Sequence, residues 1–145
     1  MYQNGWRSYC FPIKKSELLR NLNSVKYSYE RLMAGDVTLV NDIAKVTMDN
    51  GVVRNFYSFA TKYCSHHKPL DFPIYDSYVD RLLCYFRDVD WFYKFGNDDL
   101  KDCVKFKNIL LKFSKFYDLE LYNLKDIDKY LWQLGKEKFP KNMVK

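Results

Sequence analysis

Apolar residues recur along most of this chain every three or four positions, the period of a helix that buries one face. After Pro12, Leu18, Leu19, Leu22, Val25, Tyr29 and Leu32 keep that spacing, which predicts a long amphipathic helix over 15–33, stopped by Gly35. Asp36 stands where an N-cap belongs. Val37, Val40, Ile43 and Ala44 then predict a short second helix as far as about Met48. The polar Asp49-Asn50-Gly51 is the clearest turn signal. Residues 46–48 and 52–53 on either side of it are short for strands, so a hairpin there is the lesser reading.

A third helix is expected over about 55–66, presenting Phe56, Phe59, Ala60, Tyr63 and Cys64 on one side. Lys68-Pro69-Leu70-Asp71-Phe72-Pro73 must be irregular, because each proline disfavours helix at the residue before it. A fourth helix starts near Asp76 or Ser77 and buries Val79, Leu82, Leu83 and Phe86; Ser77 and Asp80 have capping-box spacing. The fifth, over 99–117, turns Leu100, Cys103, Val104, Leu110, Leu111 and Phe113 inward, with Lys101, Lys105, Lys112 and Lys115 on one exposed side. A last helix over 124–136 has Asn123 as cap and Ile127, Leu131 and Leu134 as its stripe. The pattern predicts a single all-α domain over 1–145, a compact bundle of five to seven helices, with a basic tail from about residue 136 containing Lys136, Lys138, Lys141 and Lys145.

Composition adds two features to this outline. At 145 residues the chain is about one domain and can bury roughly two-thirds of its unfolded surface without a metal or disulfide staple. Its aromatic share is 19%, with 13 Tyr, 11 Phe and 3 Trp, more than a small core conveniently absorbs. The formal net charge is +6, of which +4 falls in residues 94–145. Such an excess makes nucleic acid the first partner to consider, although a lysine stripe also describes an ordinary solvated helix face. The four cysteines at 10, 64, 84 and 103 form no CxxC pair, which fits reduced thiols in a cytoplasmic protein. No run of 18 apolar residues occurs, and no membrane association is expected.

Most enzyme signatures are missing: there is no phosphate-binding glycine loop, no HExxH and no nucleophile elbow. The two histidines, His66 and His67, are adjacent, and helical neighbours point about 100° apart, so they cannot share a metal without distortion. Cys64 with His67 would supply half a zinc site without a counterpart. Neither metal nor cofactor is expected.

The informative stretch runs from Tyr57-Ser58-Phe59-Ala60-Thr61-Lys62-Tyr63-Cys64-Ser65-His66-His67 to Phe72-Pro73-Ile74-Tyr75-Asp76-Ser77-Tyr78-Val79-Asp80-Arg81-Leu82-Leu83. A helix, a proline-bearing loop and an aspartate at the opening of the next helix follow in that order. Through Phe72, Pro73, Ile74, Asp76, Val79, Arg81 and Leu82 this stretch resembles the core of the helix-hairpin-helix DNA glycosylase superfamily. It also looks like that of small uncharacterised bacterial proteins, which share the Ser-Phe-Ala-Thr-Lys-Tyr-Cys helix and a segment similar to Asp128-Lys129-Tyr130-Leu131-Trp132-Gln133-Leu134-Gly135-Lys136.

The resemblance implies hydrolytic removal of a damaged or modified base from DNA, with Asp76 as the catalytic carboxylate. A carboxylate suits that role because it stabilises the cationic sugar or activates the attacking water. Tyr57, Tyr63, Tyr75 and Tyr78 are near enough in sequence to stack on a flipped base. Lys62, His66, His67 and Lys68, with Ser58, would line the pocket or meet phosphates, and Arg54 would sit near the hairpin. Where the family carries a glycine-rich hairpin this chain has Gly51-Val52-Val53-Arg54-Asn55-Phe56, and Ser58 stands where bifunctional members carry a lysine nucleophile. Lyase activity is therefore not implied. Two readings stay open beside this one. Asp76 before an apolar stripe also reads as a plain N-cap. The whole chain also reads as a non-enzymatic helical module whose exposed Tyr, Phe and Lys bind a protein partner, as an inhibitor or adaptor of a defence or repair complex.

Overall fold

The structure, a computed structural model, describes residues 14–140. In chain order these form α1 (Lys15–Met33), α2 (Thr38–Ala44), strands β1 (Lys45–Thr47) and β2 (Val53–Asn55), α3 (Tyr57–His67), α4 (Ser77–Asp90), a 3₁₀ turn at Asn97–Lys101, α5 (Cys103–Phe116) and α6 (Leu124–Lys138). The fold is all-α apart from one small hairpin, and its six helices fall within the expected number. Cys10, Lys141 and Lys145 lie outside the described residues.

The hairpin, the lesser reading of its segment, is present, and it ends the second helix at Ala44 rather than near Met48. Lys45 pairs with Asn55, Val46 with Arg54 and Thr47 with Val53 in an antiparallel ladder. β-branched Val46 and Thr47 favour extended backbone, and Gly51, at φ +79°, supplies the left-handed turn residue. Every strand residue is exposed, so no alternation of buried side chains announces the pair. Asp36 is not the residue next to α2, yet it acts as a cap: its Oδ1 accepts from Thr38 N at 3.0 Å. Arg31 ties the corner together, donating to Asp36 at 2.7 Å, Asp42 at 2.8 Å and the Thr38 hydroxyl at 2.9 Å.

Two apolar clusters fill the interior. One joins α4, α5 and α6 through Val79, Leu82, Leu83, Phe106, Ile109, Leu110, Phe113, Ile127 and Leu131, with Phe92, Phe95 and Leu100 from the segment before α5. The other joins α2 and α3 to Leu32, Phe72 and Cys103. Tyr75 packs against both, its ring 5.0 Å from Tyr57 and 5.9 Å from Phe106. At α6, Gly135 lets the helix lie directly on α4, because a Cβ there would stand 2.6 Å from Tyr78 Cβ.

Several expected faces are rotated. In α3, Ala60 and Cys64 are buried as expected, but Phe56, Phe59 and Tyr63 face solvent and Tyr57, Thr61 and Ser65 take the inside. Thr61 can do so because its hydroxyl donates to Ser58 O and accepts from Tyr75 N, leaving no buried orphan. In α5, Phe106 and Ile109 point inward, whereas Val104 and Leu111 are exposed. The helix begins at Cys103 because Asp102 caps it, accepting from Val104 N and Lys105 N. Leu19, Leu22, Val25 and Tyr29 of α1 are exposed, and Leu32 alone of the expected stripe is recorded as buried among the described side chains.

Candidate functional site

α3 ends in a loop, 68–76, that carries the chain across the bundle to the start of α4. Its first turn is closed by Lys68, which pairs with Asp71 at 3.2 Å. Phe72 and Pro73 then drop into the interior, turning the next residues back towards α3 and α6. Three bonds from other elements set the path of this segment. Ser58 Oγ donates to Tyr75 O at 3.0 Å, Thr61 Oγ1 accepts from Tyr75 N at 3.1 Å, and Asp128 Oδ2 accepts from Ile74 N at 3.1 Å. The result is a loop with both its amides and its carbonyl held, ending at Asp76.

Asp76 is the N-cap of α4, in the extended backbone conformation that caps adopt, and its Oδ1 accepts from Tyr78 N at 2.9 Å and Val79 N at 3.0 Å. The cap is Asp76 and not the Ser77–Asp80 pair that the spacing suggested; Asp80 instead receives the Tyr75 hydroxyl at 2.7 Å. The two amides fix the carboxylate's orientation, and Oδ2 makes no hydrogen bond among the described residues. Asp76 lines two openings. One is a cleft of about 390 Å³ lined by Lys62, Ile74, Val79, Lys125, Asp128 and Trp132, with Lys129 at its rim. The other is a larger and more open groove of about 640 Å³ lined by Ser58, Lys62, Tyr75, Ser77, Tyr78 and Arg81. Lys62 reaches both.

Lys62 and Asp76, singled out from the sequence and 14 residues apart, are thus brought to one place, with Ser58 and Tyr78 beside them. The remaining candidates are dispersed. Tyr57 is buried against Tyr75 and its hydroxyl has no partner among the described residues, so neither its ring nor its tip faces a ligand. Tyr75 is held between two cores and contributes an edge of the groove rather than an open stacking face. Tyr63 packs with Phe59 and His67 on another side of α3, and His66 and His67 are exposed at its last turn. Arg54 is exposed on β2, away from both openings.

Sequence reading did not single out the contribution of α6. Lys125, Asp128, Lys129 and Trp132 form one wall of the 390 Å³ cleft. Asp128 lies on the buried face of α6 with Ile127, Leu131 and Gly135 and is 3% exposed. Burial pushes its carboxyl up to about 7, against the pull of the Ile74 amide and the Lys125 charge. A carboxylate falling inside the apolar stripe of a helix was the readable signal. Around these two acids stand Lys62, Lys125, Lys129 and, across the groove, Arg81, so the openings carry a cationic margin over a carboxylate floor. Among the described cysteines, burial pushes Cys64 up to about 11 and Cys103 up to about 12 and also raises Cys84, so each is held as the thiol. Among the described residues no group of three metal-ligating side chains gathers.

These features define an all-α domain with a cationic cleft built around two carboxylates at the junction of α3, α4 and α6. A family model described as an N-terminal domain matches residues 13–71, which takes in Ser58 and Lys62 but stops before Asp76 and Asp128. A protein of Haemophilus influenzae (strain ATCC 51907 / DSM 11121 / KW20 / Rd), described as an uncharacterized protein, is 50% identical over 123 residues, covering 85% of this chain. The chain spans 58% of that relative's length. No solved structure matches the chain. No helix among the described residues is long and apolar enough to cross a membrane.

Proposed function

We propose that this chain is a DNA-binding, DNA glycosylase-like domain that hydrolyses the N-glycosidic bond of a damaged or modified base in the cytoplasm. The observation that carries the reading is the meeting of Lys62 and Asp76 in one cleft with Trp132 and the α6 lysines. Phosphates on either side of a flipped nucleotide would lie against Lys62, Lys125, Lys129 and Arg81, whose charges attract the backbone without reading sequence. As the base departs, positive charge grows at the sugar C1′. Asp76, held by two amides through Oδ1, offers Oδ2 to that charge or to the water that attacks it. The similarity of the Phe72–Leu83 stretch to helix-hairpin-helix glycosylases supports the same assignment.

The test is base release from duplex DNA carrying a broad panel of damaged or modified bases. Asp76→Asn keeps the cap, since Asn serves there as well as Asp, so the folded state should survive while release is lost. Failure of the wild-type chain to release any base across the panel would refute the activity. A second reading, a protein-binding module, is favoured by the apolar stripe of α1, where Leu19, Leu22, Val25, Tyr29 and Met33 are all exposed. The two readings separate on salt: phosphate contacts make DNA affinity fall steeply as salt rises, and a flat response would leave only the module.

A further inference from the structure

Asp128 holds a buried oxygen that nothing in the fold uses. Its Oδ2 accepts from Ile74 N at 3.1 Å, but its Oδ1 has no hydrogen-bond partner among the described residues, with the residue 3% exposed. Buried carboxylate oxygens are rarely left unpaired, because desolvation without a donor is costly. None of the cleft lysines closes an ion pair with it among the described residues. Yet the side chain lines the 390 Å³ opening, a volume in the range of small-ligand sites. One turn further along α6, Trp132 lines the same opening, with Lys136 Nζ 4.1 Å from its ring centroid. Asp128, with its unpaired oxygen, a broad aromatic ring and several lysines therefore line one space.

We propose that this cleft is a base-reading subsite in which Asp128 Oδ1 accepts a ring N–H of a nucleobase, Trp132 covers the base and Lys62, Lys125 and Lys129 meet the neighbouring phosphate. The inference rests on the nucleic-acid reading above and adds which bases the cleft takes. Guanine, hypoxanthine, uracil and thymine present a ring N–H on their pairing edge. Adenine and cytosine present a bare ring nitrogen there, whose lone pair a carboxylate repels. A hydrogen bond to a charged acceptor is worth enough to separate the two groups by about tenfold or more. The charged groups facing Asp128 are Lys62 from α3, Asp76 from the start of α4, and Lys125 and Lys129 from α6 itself. At pH 8.5 the carboxylate accepts; towards pH 6 its protonated form donates, and the preference should shrink or reverse.

The experiment measures binding of GMP, IMP, UMP, AMP and CMP to the full chain by calorimetry at pH 8.5 and pH 6. The expected result is tighter binding of GMP, IMP and UMP at pH 8.5, an order lost in Asp128→Asn. Should Asp128→Asn fail to fold, the pH shift in the wild-type chain tests the same assignment. Equal binding of all five nucleotides, or an order that survives in Asp128→Asn or is unchanged at pH 6, overturns the assignment while leaving DNA binding intact. No binding of any nucleotide at millimolar concentration overturns this subsite, while the salt dependence of DNA affinity decides the nucleic-acid reading separately. An intact order in a protein that releases no base removes only the activity.

Discussion

Replacing Asp128 by Asn should change the pH dependence of folding in a direction fixed by the burial of this carboxyl. In the unfolded chain the group titrates at the ordinary carboxylate value of 3.8, and in the folded chain at about 7. The folded state thus binds the proton more tightly. Stability from this group is fully present below pH 3.8, falls as pH rises, and has been lost once the pH passes about 7. At about 1.4 kcal/mol for each tenfold change in proton affinity, the total is at most about 4 kcal/mol. Asparagine keeps an acceptor for Ile74 N and carries no charge, so the slope disappears with it. Its buried amide N–H lacks a partner, a cost of about 1–3 kcal/mol that does not vary with pH. Urea denaturation of both proteins between pH 4.5 and 8.5 reads the difference, in which other titrating groups largely cancel. The variant should gain on the wild type by about 2 kcal/mol or more between pH 4.5 and 7, with little further change to pH 8.5. A difference that stays flat over the whole range would show that Asp128 is not the buried, proton-holding group described above.

Other substitutions test the frame around the cleft. Gly135→Ala should destabilise the domain by about 1–3 kcal/mol in thermal or urea unfolding, because the added Cβ meets Tyr78 Cβ at 2.6 Å and the Tyr78 carbonyl at 3.2 Å; an unchanged midpoint would mean that α4 and α6 are not in close contact. Trp91→Gly should stabilise by about 1 kcal/mol, since Trp91 closes α4 at φ 54° with its side chain 84% exposed and glycine adopts that backbone at no steric cost. Loss of stability there would assign the indole a packing role that its exposure denies. Neutralising Lys62, Lys125 and Lys129 to Gln one at a time should each lower the slope of log affinity for DNA against log salt by about one. A slope that does not move would place the phosphates elsewhere.

Much of the helical frame was readable from period alone. Lys15–Met33 is one helix as its spacing required, and Asn123 caps α6 as expected, in a reciprocal pair with Asp126 that the sequence reading did not name. Which side each helix buries was less legible. With 27 aromatic residues in 145, an aromatic at helical spacing does not identify the core side, and α3 shows why: Phe59 and Tyr63 are outside while Thr61 and Ser65 are inside. For Thr61 hydrogen bonds made that choice, and one of them comes from Tyr75, which arrives from a loop 14 residues later; Ser65 Oγ has no partner among the described residues. The hairpin was obscured for the opposite reason, because strands with no buried residue leave no alternation to find. At the site, Asp76 and Lys62 were visible because they lie in one continuous stretch. The wall supplied by α6 was not, since the pairing of residue 128 with residue 74 is set by tertiary packing and by a glycine whose value lies in what it lacks.

The bond from Asp128 to Ile74 spans 54 residues. A chain emerging from the ribosome therefore makes Lys62 and Asp76 long before it makes the helix that completes their enclosure. Until α6 docks, the loop that delivers Asp76 has lost one of its three anchors and the cleft has only two of its walls. Closure of the cleft is in that sense a late event of biosynthesis, and any nascent or shortened chain ending before about residue 135 would carry Asp76 without the wall that α6 gives its cleft.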